Sequence, residues 1–129
     1  MDNIIKQNME TKDFDEIKKD VLRAMVILHG SAWKSDLHDT LSTIWRLKKL
    51  DLDEMVKASE SLPKTLEELK SERILRWEKR LRGDLSRSEP IEDTLYYLEN
   101  VKEVLDKFSS DHIVLKYRSK IMGYNSLKM

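Results

Sequence analysis

Residues that break helices are scarce in this chain of 129 residues, which has three glycines and two prolines. Glycine permits the left-handed backbone of tight turns, and proline blocks the interior of a helix. The chain therefore has few places at which a helix must stop. Long helices are expected, and the few glycines and prolines are expected to mark the boundaries between elements.

Length and composition favour one domain. The chain has about the commonest domain size, and its 40 % of apolar residues can fill one core. It has no cysteine, which excludes disulfides and thiolate metal sites and agrees with a reducing compartment. No apolar stretch approaches the roughly 20 residues of a membrane span, and the first residues lack the pattern of a secretory signal. A soluble, cytoplasmic protein is expected.

Two amphipathic helices are predicted in the first fifty residues. Asp13 and Glu16 have the spacing of a capping box, and apolar residues recur at steps of three and four around them. These residues are Phe14, Ile17, Val21, Met25 and Leu28. The pattern predicts a helix over about residues 14–29, ended by Gly30, and a second helix over about 35–50. The apolar stripe of the second helix consists of Leu37, Leu41, Ile44 and Trp45.

Two shorter helices are predicted next. Asp53 can cap a helix that ends near Ser59. Ser61-Leu62-Pro63 then opens another helix, because serine is a good N-cap and proline is tolerated in a first turn. Leu62, Leu66 and Leu69 lie on one face of that helix.

A β-hairpin is predicted after these helices. Residues 74–81 alternate between apolar and charged side chains, which is typical of a strand. The Gly-, Ser-, Asp- and Pro-containing run 82–90 is typical of a loop, and residues 94–98 are aromatic and β-prone. Two strands with a long tip follow from this pattern.

Two C-terminal helices complete the prediction. Asn100 can cap a helix with Val101, Val104, Leu105 and Phe108 on one stripe. Ser110 or Asp111 can cap a last helix, which Gly123 would end. No repeat or shift in composition marks a second domain.

The order of these elements resembles the winged helix-turn-helix superfamily, in particular small regulators of the MarR and PadR kind. The run from Leu52 to Leu105 carries the resemblance: residues 53–58 look like the first helix of the turn motif, and residues 62–69 look like the recognition helix. From Leu66 to Ile74 the chain is about one helical turn shorter than the family pattern.

The resemblance implies a mainly α fold with a small antiparallel β-hairpin wing, that is, a winged helix-turn-helix with additional N- and C-terminal helices. Residues 1–129 would form a single winged-helix domain, with N-terminal helices at 14–50, the helix-turn-helix and wing at 51–98, and C-terminal helices at 99–123. In such regulators the outer helices commonly form a homodimer. The apolar stripe of residues 14–28 is wide for a small domain to bury alone, which favours a dimer over the alternative that it completes a monomeric core.

Charge is balanced over the whole chain, with 24 basic and 24 acidic residues, but it is concentrated locally. Residues 73–87 hold six basic residues and two acidic ones, a net charge of plus four. Arginine and lysine bind phosphates, and side chains on a recognition helix reach base edges. The resemblance, more than these charges, implies a regulator of transcription that binds double-stranded DNA. The predicted DNA-binding residues are Lys64, Thr65, Lys70, Ser71, Arg73, Arg76, Lys79, Arg80, Arg82 and Arg87.

Three acidic residues on the same helix favour an alternative. Glu67, Glu68 and Glu72 would repel phosphates, so a winged-helix module that binds a protein or acts as an assembly subunit is the second hypothesis. A solvated surface with no ligand at all is a third possibility, because charge runs are often just that.

Catalysis and cofactors find little support in the sequence. His29, His38 and His112 are scattered over different predicted elements. They form no histidine-glutamate helix motif and have no cysteine partner, so neither a metal site nor a cofactor is expected. No glycine-rich loop is present to hold a nucleotide phosphate, so an enzyme is the least expected class. Trp45 and Trp77 are predicted to lie in the core, although Trp77 has the alternative of stacking on a base.

Overall fold

The computed structural model describes residues 16–83 and 89–128. Helix α1 spans residues 16–27, and seven further elements follow it along the chain. They are β1 (Ser31–Trp33), α2 (Lys34–Leu47), α3 (Leu52–Ser71), β2 (Leu75–Arg82), β3 (Ile91–Leu98), α4 (Val101–Lys107) and α5 (His112–Lys128). The described part of the chain is thus mostly helical, with a small antiparallel sheet of strand order β1-β3-β2.

Helix α1 lies in the core of its own chain. Val21 and Met25 are completely buried, whereas Ile17 and Leu28 are partly buried. Phe14 and Asp13 lie outside the described residues. The described part of this stripe is therefore largely covered within one chain, as in the alternative of a monomeric core, and the homodimer stays a prediction.

Three helices end on left-handed residues that are not glycine. His29, Lys49 and Arg73 have φ values of 64°, 61° and 61°, after α1, α2 and α3 respectively. In each case the next residue donates its amide to the carbonyl five positions back, at 2.8 to 3.1 Å. This is the hydrogen bond of a Schellman motif, in which glycine usually takes the left-handed position. Each left-handed residue that is not glycine costs about 1 kcal/mol of folding free energy. This chain, which has few glycines, accepts that cost at the ends of three helices.

Helix α3 corrects the predicted pair of short helices. It is one helix of 20 residues, and Asp51 rather than Asp53 is its N-cap. The Asp51 carboxylate accepts from the amide of Glu54 at 2.8 Å, and Glu54 completes a capping box. Pro63 lies inside the helix, although the sequence placed it in a first turn.

A continuous buried stripe explains why α3 is not interrupted. Its buried residues recur at steps of three and four on both sides of Pro63; they are Ala58, Leu62, Thr65, Leu66 and Leu69. Pro63 itself is exposed, so its ring does not disturb the packing of the core. The packing energy of the stripe outweighs the amide hydrogen bond that the proline removes.

Replacing Pro63 by alanine is expected to stabilise the protein by about 1–3 kcal/mol, because alanine restores an amide donor for the carbonyl of Ser59. Urea unfolding at pH 7 measures this as an increase in midpoint at constant m-value. The matched control is Ser59→Ala, an exposed change in the same helix that restores no hydrogen bond. An unchanged or lower midpoint for Pro63→Ala would show that the chain turns at this proline, as the sequence suggested.

The predicted hairpin is confirmed and extended. Strands β2 and β3 pair over their whole length, from Leu75 opposite Leu98 to Arg82 opposite Ile91. Strand β1 was not predicted; it pairs with β3 through only three residues, from Ser31 opposite Tyr97 to Trp33 opposite Leu95. The predicted loop at 82–90 falls partly on residues 84–88, which lie outside the described residues.

The last two helices agree in part with the prediction. Asp111 caps α5, since its carboxylate accepts from the amides of Ile113 and Val114 at 2.9 and 3.0 Å. Asn100 precedes α4 but its side chain makes no capping hydrogen bond. Helix α5 continues to Lys128, so the prediction that Gly123 ends it is wrong.

A buried group of charged residues joins α1, α2 and α5. Asp20 is 2 % exposed and accepts from Arg23 Nη1 at 2.7 Å, from Lys48 Nζ at 3.1 Å and from Trp45 Nε1 at 3.2 Å. Arg23 is 4 % exposed and also donates from Nε to both carboxylate oxygens of Asp111, at 3.0 and 3.1 Å. Every partner of Asp20 is a donor, so its charge is fully compensated.

This group makes the stability depend on pH. Burial alone raises the pKa of Asp111, but the amides of Val114 and Ile113 and the Arg23 guanidinium outweigh it and lower that pKa. Asp111 therefore contributes stability above its unfolded pKa of about 3.9, and loses it as the pH falls through the lower folded pKa. Urea unfolding between pH 6 and pH 2.5 should show this loss. The Asp111→Asn variant should lose less over the same range, and parallel curves would contradict the assignment.

Candidate functional site

The C-terminal end of α3 and the hairpin form one continuous surface, which we call the α3–hairpin surface. Residues 72–74 join α3 directly to β2, and the amide of Glu99 donates to the carbonyl of Ile74 at 3.0 Å. The Nζ of Lys70, near the end of α3, lies 4.7 Å from the ring centroid of Trp77 on β2. Lys70 of α3 therefore lies beside the face of the hairpin that carries Trp77, whereas Arg76, Arg80 and Arg82 alternate to the opposite face.

Three of the four predicted contacts on α3 are exposed. Lys64, Lys70 and Ser71 lie on the outer side of the helix. Thr65 is wrong as a DNA contact: it is completely buried, and its hydroxyl donates to the carbonyl of Ser61 at 3.1 Å. The sequence could have indicated this, because Thr65 falls on the same stripe as Leu62 and Leu69.

The predicted cations of the hairpin are mostly exposed but paired. Arg76 Nε lies 3.4 Å from Glu99, Lys79 Nζ lies 3.5 Å from Glu92, and each cation is more than half exposed. Arg80 pairs with Glu78 on the same strand.

Arg82 is the most tightly held of these cations. Its Nη1 lies 3.2 Å from Asp93, and its guanidinium lies 5.3 Å from the ring centroid of Trp33. Arg73, just before the hairpin, is exposed, and Arg87 lies outside the described residues.

These ion pairs offset the basic charge of β2 with carboxylates from the neighbouring strand. Strand β2 carries four cations and one carboxylate, β3 carries two carboxylates, and Glu99 directly after β3 adds a third, so residues 75–82 and 91–99 together have a net charge of zero. Antiparallel pairing brings the acidic residues of β3 beside the basic residues of β2. Within the described part of the hairpin, the basic charge of β2 is therefore offset by the carboxylates of residues 91–99.

Helix α3 is acidic and has exposed apolar residues in its first turns. It carries five carboxylates and three lysines, a net charge of minus two. Leu52 is 76 % exposed and Val56 is 47 % exposed. Asp53 and Glu60 are exposed next to them on the same side of the helix. This apolar and acidic patch was not among the sites predicted from the sequence.

The tryptophans have three different environments. Trp45 is 5 % exposed and belongs to the core, as predicted. Trp77 is partly buried and packs against Tyr96, with 5.5 Å between ring centroids. Trp33 lies on the other side of the sheet, beneath Arg82. The inner side of the hairpin is thus aromatic where it faces α3.

Metal sites and membrane spans are two further features that residues 16–83 and 89–128 could contain. No group of three or more His, Asp or Glu side chains in that part of the chain is placed to hold a metal ion. No helix there is long and apolar enough to cross a membrane. A scan against protein-family models gives no match for this chain, and a search of curated proteins gives none either.

Proposed function

We propose that this chain is a winged-helix protein that binds another protein through its α3–hairpin surface and the first turns of α3. The order α1-β1-α2-α3-β2-β3, with a sheet of order β1-β3-β2, supports the winged-helix part of the proposal. Because residues 53–58 and 62–69 belong to the single helix α3, they do not form the two helices of the turn motif that were expected. In the proposed arrangement α2 would be the first helix of the turn motif, α3 the second, and the β2–β3 hairpin the wing.

The observation that carries the choice of a protein partner is the charge of the surface. Residues 75–82 and 91–99 of the hairpin are together neutral, and α3 has a net charge of minus two. Binding to duplex DNA gains most of its affinity from cations that replace the counterions of phosphates. A surface with no excess of cations gains little in this way, and exposed carboxylates add repulsion.

The first turns of α3 indicate the chemistry of the partner. Leu52 and Val56 expose apolar area where an anchor for a protein contact would lie, and Asp53 and Glu60 surround it with negative charge. A protein segment with an apolar side chain flanked by lysine or arginine is complementary to this patch.

A paired capture experiment tests this proposal. The wild-type chain and Val56→Arg are immobilised and exposed to an extract of the source cells. At least one protein should be retained by wild type and reduced by tenfold or more with the variant, because the change places a cation in the centre of the patch. The control is Ser110→Arg, which adds the same side chain at an exposed position between α4 and α5. Equal capture by all three proteins would overturn the proposal.

Double-stranded DNA is the second candidate, and a specific observation favours it. The pairs of Arg76, Lys79 and Arg80 are exposed surface pairs, which are each worth about 0–1 kcal/mol and exchange readily for a phosphate. In this reading Lys64, Lys70, Ser71 and Arg73 on the α3 side and Arg82 and Arg87 in the wing complete the contacts. The protein would then be a cytoplasmic regulator of transcription that acts as a homodimer, with the exposed Leu115 and Ile121 of α5 available for the dimer contact.

A further inference from the structure

A cavity of about 290 Å³ lies between the start of α2, the middle of α3 and the inner side of the hairpin. Its deepest residues are apolar or aromatic: Leu62 and Leu66 are nearly buried on α3, and Tyr96 is nearly buried on β3. Trp77 adds a second ring at 5.5 Å from Tyr96. The volume is close to the lower end of the range of small-molecule pockets, about 300–1,000 Å³, and suits a ligand of one or two fused rings.

Polar groups of opposite charge lie at the edge of this cavity. Lys34 and His38 lie on α2, and Glu67 lies on α3. Burial lowers the pKa of His38, and the nearby charge of Lys34 lowers it further, so this imidazole is neutral at pH 7. The carboxylate of Glu67 lies on the side of Tyr96, since its charge contributes to raising the pKa of that phenol, after burial and Asp93.

Neither Lys34 nor Glu67 is joined by an ion pair to another residue in the described ranges. The edge of the cavity therefore offers one cation, one carboxylate and one neutral imidazole, a net charge of zero. A ligand with a single charge would meet one of the two charged groups with the wrong sign.

We propose that this cavity binds a small planar aromatic zwitterion, of the kind represented by an aromatic α-amino acid. Its ring lies against Trp77, Tyr96 and the leucines of α3, its anionic group faces Lys34, and its cationic group faces Glu67. Aromatic rings pair in offset-stacked or edge-to-face arrangements with 4.5–7 Å between their centroids. Trp77 and Tyr96 each offer the ligand ring a partner for such a contact. The cavity shares Trp77 with the α3–hairpin surface, but this inference does not depend on the proposed protein partner, because it rests on the lining of the cavity alone.

Three matched probes test the charge preference: L-tryptophan, tryptamine, which lacks the carboxylate, and indole-3-propionate, which lacks the ammonium group. Titrations followed by ¹H–¹⁵N NMR give both the affinity and the place of binding. L-Tryptophan should bind about threefold to fivefold more tightly than either analogue, since an ion pair with an exposed side chain contributes only modestly. The shifted amides should centre on residues that line the cavity.

Two exposed substitutions separate the two contacts. Lys34→Gln should abolish the preference for L-tryptophan over tryptamine, and Glu67→Gln should abolish its preference over indole-3-propionate. The control substitutions Lys57→Gln and Glu60→Gln remove the same charges from the outer side of α3 and should change nothing. The proposal is overturned if L-tryptophan does not bind at millimolar concentration, if the three probes bind equally, or if the shifts lie elsewhere. It is also overturned if Lys34→Gln and Glu67→Gln leave both preferences intact.

Discussion

Replacement of Asp20 by alanine is expected to destabilise the fold by about 3–5 kcal/mol, the usual cost of removing one partner from a buried ion pair. The change leaves the Trp45 indole N–H without its acceptor and leaves Lys48 without its closest carboxylate. Arg23, which is 4 % exposed, keeps Asp111 but loses its shortest contact.

Urea unfolding of three variants measures this effect and its origin. Asp20→Asn keeps the shape and removes the charge, so it should also cost several kcal/mol if charge compensation is the cause. Glu16→Ala is the matched control: it removes a carboxylate that contacts the same Lys48 and Arg23 but is 45 % exposed, and should cost less than about 1 kcal/mol. A loss below 1 kcal/mol for Asp20→Ala would mean that the group does not hold α1, α2 and α5 together.

The second large effect is expected on DNA binding when the acidic residues of the hairpin are neutralised. The triple variant Glu92→Gln, Asp93→Asn, Glu99→Gln releases Lys79, Arg82 and Arg76 from their partners. Three released cations should give a salt slope of about −2.7, so affinity for a duplex should fall roughly 40-fold between 50 and 200 mM salt. The wild-type chain should show no such binding, because residues 75–82 and 91–99 of its hairpin are together neutral.

Fluorescence anisotropy with a labelled duplex of mixed sequence measures both proteins. The control variant is Asp36→Asn, Glu103→Gln, Asp106→Asn, which changes the net charge equally at exposed positions on α2 and α4. Equal gains for the triple variant and the control would show that the hairpin is not a phosphate-binding surface. Tight, salt-sensitive binding by the wild-type chain would instead favour the DNA candidate and reject the choice of a protein partner.

Periodicity predicted most of the helices and the hairpin because their stripes are local. The spacing of Leu37, Leu41 and Ile44 fixes a helix wherever its apolar side can be buried. The predicted break at Pro63 was wrong, because it relied on the local signal of Ser61-Leu62-Pro63. The tertiary packing of Ala58, Leu62 and Leu66 overrode that signal. Strand β1 has three residues and exists through its pairing with β3, so its own sequence carries no strand pattern.

The candidate site was less predictable because its charges meet across strands. The basic residues of β2 lie close together in the sequence, so a count of charges along the chain detects them. Their partners Glu92, Asp93 and Glu99 come ten or more residues later. Only the register of the hairpin shows that the two sets cancel. Asp20 offered a clearer signal: it lies between Ile17 and Val21 within an apolar stripe, with Arg23 three residues later, which is typical of a buried ion pair.

The unbroken α3 has a mechanical consequence. Its 20 residues form a stiff rod about 30 Å long. Leu52 is at one tip and the connection to β2 is at the other, so a displacement imposed at the first turn is carried along the axis to Trp77. We therefore expect the residues at the two ends of α3 to move together.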